Sequence, residues 1–323
     1  MFKNYFVFAG VFASVSLAGC GSSDDSGAGD VPSVCQDFDT TQSAAPVAYK
    51  EVNSVFTEQT FDADSCSELA PSEETCTFNG QVIDFQEDEW LESGVLGGTT
   101  VKIFVDNVIP DINVTCAAAG SDDVNAVCFE ATASSTGEVS IPGLTCNKKF
   151  AVWAFKENLI APVTKPAVEF DRVVKPGSTA VQDVLTISIT TYNLVPGIVG
   201  FNPDPTLGIV AGKAEDCSAN NVQNIGVHIT DSHVTTAPAE FCGTNPIHRV
   251  GTFYFKDNFP SDDEKVTSED GLFAFANVVV GDVTIFAYSN EGGTKTQVGY
   301  TQGVSLPDTI TIIDVSVTPP AGG

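Results

Sequence analysis

The residues best suited to bind a metal or move a proton stand in one short stretch, His228-Ile-Thr-Asp231-Ser-His233, with His248 fifteen residues further on. A transition-metal site needs three or four convergent ligands. A regular strand through this stretch would send His228 to the face opposite Asp231 and His233, so solvated polar side chains are expected, with His233 and His248 as candidate ligand contacts. Hard-cation chemistry has one candidate, the carboxylates Asp262, Asp263 and Glu264 with Glu269 and Asp270 nearby. They lack the twelve-residue loop pattern of a calcium hand, so no cofactor is expected, with calcium the one ion left open and any metal unknown. Aromatic side chains that stack on sugar rings are offered by Trp90, which follows Glu87-Asp88-Glu89, and by Phe253-Tyr254-Phe255. Half of the latter run must be core by alternation; Trp90 is kept as a candidate ligand contact.

Catalytic signatures are missing. The chain has no His-Glu-x-x-His and no Gly-x-Ser-x-Gly, and Gly208 to Lys213 is one residue short of a phosphate loop and lacks the Ser or Thr after Lys213. No catalytic residue is assigned. A hydrolase built on a carboxylate pair is the weakest reading, because nothing singles out which pair.

Charge narrows the partners. Forty-two acidic against 14 basic residues give a formal net charge of −28. Nucleic-acid binding draws its affinity from Lys and Arg neutralising phosphate, so a nucleic-acid partner is excluded. Basic partners and divalent cations suit such a field.

The N-terminus supplies an address. Lys3 precedes an apolar run, Tyr5 to Ser16, shorter than the roughly 20 residues of a spanning helix. Leu17-Ala18-Gly19-Cys20 fits the bacterial lipobox and resembles a lipoprotein leader cut before Cys20, whose thiol would carry diacylglycerol. Loss of Lys3 with the leader moves the formal charge from −28 to −29. Several acyl chains, palmitate among them, anchor far more firmly than one. With Gly21 after Cys20, the outer membrane is the expected location, its inner or surface face open.

Nine cysteines less Cys20 leave eight, an even number consistent with four disulfides in an exported protein. Cys217 with Cys242 is the favoured pair, since no other cysteine lies in the second half. Cys116 with Cys128 would close a loop before a strand. Cys35, Cys66, Cys76 and Cys146 would tie the N-terminal segment to itself and to the first domain.

These features sit on a repeat. Thr267 to Ser289 carries a hairpin-like signal, Ser-Glu-Asp-Gly followed by two apolar runs parted by Gly281 and Asp282, and Ala133 to Phe155 is its weaker twin. Six features recur in the same order at offsets of 125 to 134 residues: Gly80 with Gly212, Gly98 with Gly226, 125–133 with 250–255, 138–144 with 272–278, 150–155 with 283–288, and 182–190 with 307–317. Period-two alternation dominates, as in Val101, Ile103 and Val105, and no stretch shows a capped helical period. The expectation is an all-β chain of two tandem Greek-key sandwiches, each of about seven short strands. The boundaries are 1–19 signal peptide, 20–77 lipidated cysteine with an acidic tether and Cys-rich segment, 78–195 first sandwich, 196–207 Pro/Gly linker, and 208–323 second sandwich. Gly21 to Asp39 holds five acidic residues and no basic one, a composition that stays extended.

The succession also resembles the carboxypeptidase regulatory-like domains, which have a transthyretin-like (prealbumin-like) sandwich. It is carried by the opening glycines Gly80 and Gly212, the strand Gly226-Val227 with Ile229 and its looser counterpart from Gly98 to Val101. It is carried further by the turn from Thr267 to Phe273, the break from Val278 to Gly281, and the aromatic strand after it. The first copy departs, with Val139 at the aromatic position and Pro142-Gly143 in place of Asn277. The resemblance implies a non-catalytic module. The expected function is thus a surface-anchored lipoprotein for binding, adhesion or scaffolding, with the membrane through its lipid anchor and a glycan or envelope protein as partners. The alternative is a carbohydrate- or calcium-binding accessory to a secreted enzyme.

Overall fold

Alternating apolar residues bounded by Gly, Asp and Asn turns form strands throughout. The computed structural model describes residues 44–52, 55–62, 70–84, 97–109, 111, 113–121, 123, 126–156, 164–189, 192, 203–235, 252–257, 259–261 and 263–318. The leader, Cys20, Cys35, Cys66, Trp90, Cys242, His248 and most of the 196–207 linker lie outside these. An N-terminal hairpin, β1 (Val47–Val52) and β2 (Val55–Gln59), comes first. The first half follows with β3 (Thr75–Asp84), β4 (Thr100–Val105), β5 (Ala117–Ala118), β6 (Cys128–Thr132), β7 (Glu138–Thr145), β8 (Phe150–Phe155), β9 (Thr164–Lys165), β10 (Ala167–Arg172) and β11 (Val181–Ser188). The second half contributes β12 (Gly208–Glu215), β13 (Asn221–Gln223), β14 (Gly226–Thr230), β15 (Thr252–Lys256), β16 (Phe259–Ser261), β17 (Leu272–Val278), β18 (Gly281–Glu291), β19 (Thr294–Ser305), β20 (Ile310–Ile312) and β21 (Val315–Ser316).

Strand pairing reproduces the repeat except at 125–133 and 250–255, where β6 joins β4 but β15 joins β17. In the first half β3 pairs antiparallel with β7 and parallel with β11, while β8 lies antiparallel between β4 and β10. In the second, β12 pairs antiparallel with β17 and parallel with β20 and β21, while β18 lies between β14 and β19. The register places Gly80 opposite Val139 and Gly212 opposite Phe273. A Cβ on Gly80 would meet Val139 at 2.9 Å, and one on Gly212 would overlap the Ile313 carbonyl oxygen. Each opening strand therefore needs a glycine at this point.

Three expectations are corrected. The two apolar runs after Thr267 are not a hairpin: β17 and β18 belong to different sheets, as do β7 and β8. Their apolar side chains, Phe273 and Phe275 from one and Val283 and Ile285 from the other, meet across a core, and burial rather than a turn sets their relation. The N-terminal segment does not dock only on the first half. Cys76 bonds Cys146 there, but β1 pairs with β13 of the second half. Finally, β10, AVEFDR, and β19, rich in Thr, Gln and Gly, are strands beyond the six features that the sequence pattern assigned to each half. Cys116 bonds Cys128 as expected.

The halves are joined through one sheet. β20 lies parallel between β10 and β12, with Ile310 opposite both Ala167 and Ile209, and Ile312 opposite both Glu169 and Ala211. The Ile310 N–H donates to Pro166 O at 3.0 Å and the Ile313 N–H to Ala211 O at 2.8 Å. A 14-stranded sheet results, with the four-stranded sheet β7-β3-β11-β9 and the three-stranded sheet β14-β18-β19 completing the sandwiches. Alternation along β4 and β8 divides between two cores: Val101, Ile103, Val152 and Ala154 enter one, Phe104, Ala151 and Trp153 the other. Hence β8 is buried on both faces and its sequence, FAVWAF, is continuously apolar.

Gly212→Ala is expected to cost about 2 kcal/mol or more, because its methyl meets backbone that cannot step aside. Urea unfolding checks this. A loss near zero would contradict the close approach.

Candidate functional site

The sequence candidates fall in different places. His233 lies beyond the end of β14, where its Nε2 is 2.9 Å from Gly303 O and its Nδ1 3.9 Å from Asp282 Oδ2. Asp231 and His228 do not join it: among the described residues no group of three His, Cys, Asp or Glu is arranged to hold a metal. Of the acidic cluster, Asp270 is buried and its Oδ1 accepts the Leu272 N–H and the Ser268 hydroxyl, both at 3.0 Å. Glu264 Oε1 takes Lys256 Nζ at 3.2 Å. Asp270 shapes the turn into β17, and Glu264 ties back to the end of β15. Tyr254 is core: its hydroxyl oxygen accepts the Val227 N–H at 3.0 Å, and burial pushes its phenol up to about 12. Cys217 is disulfide-bonded; Cys242, its expected partner, lies outside the described residues, as do Trp90 and His248.

His233 instead borders a cleft of about 480 Å³ between the two halves. One wall comes from the first half. β4 ends in a turn at Asp106 and Asn107, both at positive φ (62° and 57°), a conformation Asn and Asp tolerate best. Facing it, β10 bulges after Glu169, and Asp171 also takes positive φ, 60°. The two positions lock one another: Asn107 Nδ2 donates to Asp171 Oδ1 at 2.7 Å, and Asn107 Oδ1 accepts the Asp171 N–H at 3.3 Å. Lys149 Nζ lies 3.2 Å from Asp171 Oδ1, and Lys148 Nζ lies 2.7 Å from Asp106 Oδ1.

The other wall is β19. Thr301 Oγ1 donates to Asp171 Oδ2 at 3.5 Å, and Tyr300 is 45% exposed, its ring 6.3 Å from that of Phe286. Gly303 lets β19 lie close, since a Cβ there would overlap the Ile313 side chain. Phe170 and Val304 give the cleft apolar surface. The chemistry is that of recognition: amide, hydroxyl, imidazole and aromatic groups converge, and both aspartates of the first wall are already in ion pairs. Asn107, Lys149, Asp171 and Tyr300 were not singled out in the sequence. The Asp-Asn pair ending the alternating strand of Val101, Ile103 and Val105 was the one available signal.

Beneath the cleft, Glu169 is 3% exposed at the joint between β10 and β20. Its Oε2 accepts Arg172 Nη1 at 2.9 Å and its Oε1 the Leu185 N–H at 2.7 Å. Burial raises its carboxyl, Arg172 and the Leu185 N–H pull it back, and Asp314 and Asp183 push it up again, to about 7. Glu215 on β12 is also raised, by burial and then by Asp314.

No protein-family model and no curated protein matches the chain. Among solved structures it is similar to the TIE protein of Bacillus anthracis, at 13% identity over 76% of this chain and 34% of that one, with a TM-score of 0.23. A streptococcal ancillary pilin matches at 10% identity over 76% and 69%, TM-score 0.23. The minor pilin GBS52 of Streptococcus agalactiae matches at 11% over 70% and 86%, TM-score 0.21. The chain spans about a third of the length of the first of these. Likeness of this degree carries no functional argument.

A carboxyl raised from its unfolded value of about 4.3 to about 7 favours the folded state when protonated. That stability is fully present below about pH 4 and is lost as pH rises through about 7. Glu169→Gln removes this titration, so the fall in unfolding free energy between pH 5 and pH 8 should shrink by a few kcal/mol, Glu215 keeping part of it. Equal falls in both proteins would contradict the assignment.

Proposed function

We propose that this is an envelope lipoprotein, anchored through Cys20, that works without catalysis as a binding or scaffold protein and holds its ligand in the cleft between the halves. The observation that carries this reading is the cleft's construction. It is concave and of mixed polarity, features of ligand seats, and three non-glycine residues at positive φ are fixed at its wall, two by reciprocal bonds.

One specific observation favours a second reading, a glycan-binding accessory to a secreted enzyme: the exposed ring of Tyr300 stands beside the amides of Asn107 and Gln302.

Cys20→Ser should move the protein from the membrane fraction to the soluble fraction; retention in the membrane would contradict the anchor. Hydrogen exchange of the full chain, with and without solubilised cell envelope, should slow at Tyr300 to Val304 and Asp106 to Val108. Protection confined to other segments would contradict the cleft.

A further inference from the structure

We infer that the cleft takes an extended, Lys- or Arg-rich peptide segment of a partner protein, which adds as a strand to the open edge of β19. This rests on the cleft being the ligand seat. Five consecutive residues, Tyr300 to Val304, front the cavity. Successive side chains of a strand point to opposite faces, so a cavity over one face would meet every second residue. Contact with all five means that the strand presents its edge, and with it the main chain.

Among the described residues, that edge is open at Tyr300 and Gln302. β19 pairs with β18 and with no other described strand. Val304 O accepts the Thr311 hydroxyl at 3.0 Å from outside the sheet, while Gly303 O, on the opposite phase of the strand, takes His233 Nε2 at 2.9 Å. In an antiparallel ladder the outward groups recur at every second residue, which turns those of Gln302 and Tyr300 the same way as those of Val304. Among the described residues, no main-chain bond from outside the sheet reaches either of them. At the far side Val298 O is taken by the Thr318 N–H at 2.8 Å. An open row of N–H and C=O groups between two closed ends is a template for a short added strand.

Charge selects the peptide. The whole chain carries a formal −28; of the carboxylates around the cleft, Asp106 and Asp171 are paired with Lys148 and Lys149 and Asp282 stands by His233, so the attraction comes from the field of the whole chain. Like charge across an interface is repelled and opposite charge drawn in. A sugar would instead depend on the side chain of Tyr300 and owe nothing to main-chain direction.

The probe is a fluorescein-labelled hexapeptide of alternating Val and Lys, titrated against the full chain by fluorescence anisotropy. Saturable binding is expected, at least tenfold weaker when Glu replaces Lys. Backbone N-methylation of alternate residues should weaken it at least tenfold in one register and less than twofold in the other, because an added strand turns only every second N–H to its neighbour. Equal effects in both registers, or tighter binding of the Glu peptide, would overturn the inference. So would an oligosaccharide that binds the cleft and is lost on Tyr300→Ala while the peptide fails to bind; that result would leave the cleft standing as the ligand seat. Peptide-induced protection in hydrogen exchange away from Tyr300 to Val304 would overturn both.

Discussion

The structure depends on three residues, Ile310 to Ile312, held in parallel register between strands of different halves. A strand in this position must satisfy main-chain groups on both edges. It does so through β12 on one side and β10 on the other, with the Ile310 N–H bonded to Pro166 O. Removing either neighbour would leave an apolar strand with a bare edge. The halves therefore share one sheet, and β10, which would be the edge of the first sandwich, becomes an interior strand.

The cleft follows from that joint. β10 stays in the shared sheet until its bulge, where Asp171 turns out at positive φ to meet Asn107, while β19 crosses over β20 and brings Thr301 to the same carboxylate. The ion pairs of the wall are exposed and each is worth little, roughly 0 to 1 kcal/mol. Burial does more: Phe104, Trp153, Val168 and Phe170 of the first half lie in one core with Phe275, Val283 and Ile313 of the second. Lys165 and Asp308 pair across the same joint, with the Tyr192 ring 4.7 Å from the ammonium. Burying Glu169 here weakens the joint as pH rises, an electrostatic cost set against this apolar contact.

Much of the fold was legible because its signals are local. Alternation gave Val101, Ile103 and the other core positions of β4, and the order of elements gave the two halves. The correspondence of Gly80 with Gly212 returned in the register as the residues opposite them, Val139 and Phe273. What failed was pairing across distance. Two apolar runs parted by Gly281 look the same whether they form a hairpin or cross between sheets, and only the core between them decides. The site was less legible still. Asn107, Asp171 and Thr301 are far apart in the chain, and each is an ordinary polar residue until the joint brings them together. His233 was noticed as a potential metal ligand, and the structure gives it to a main-chain carbonyl at the rim of the cleft.

A strand shared in this way couples the two halves into one cooperative body, since independent sandwiches could not hold a fixed cleft between them. Differential scanning calorimetry of the full chain tests this coupling. One transition is predicted, with the calorimetric enthalpy equal to the van't Hoff enthalpy. Two separable transitions, each with the enthalpy of about half the chain, would contradict it.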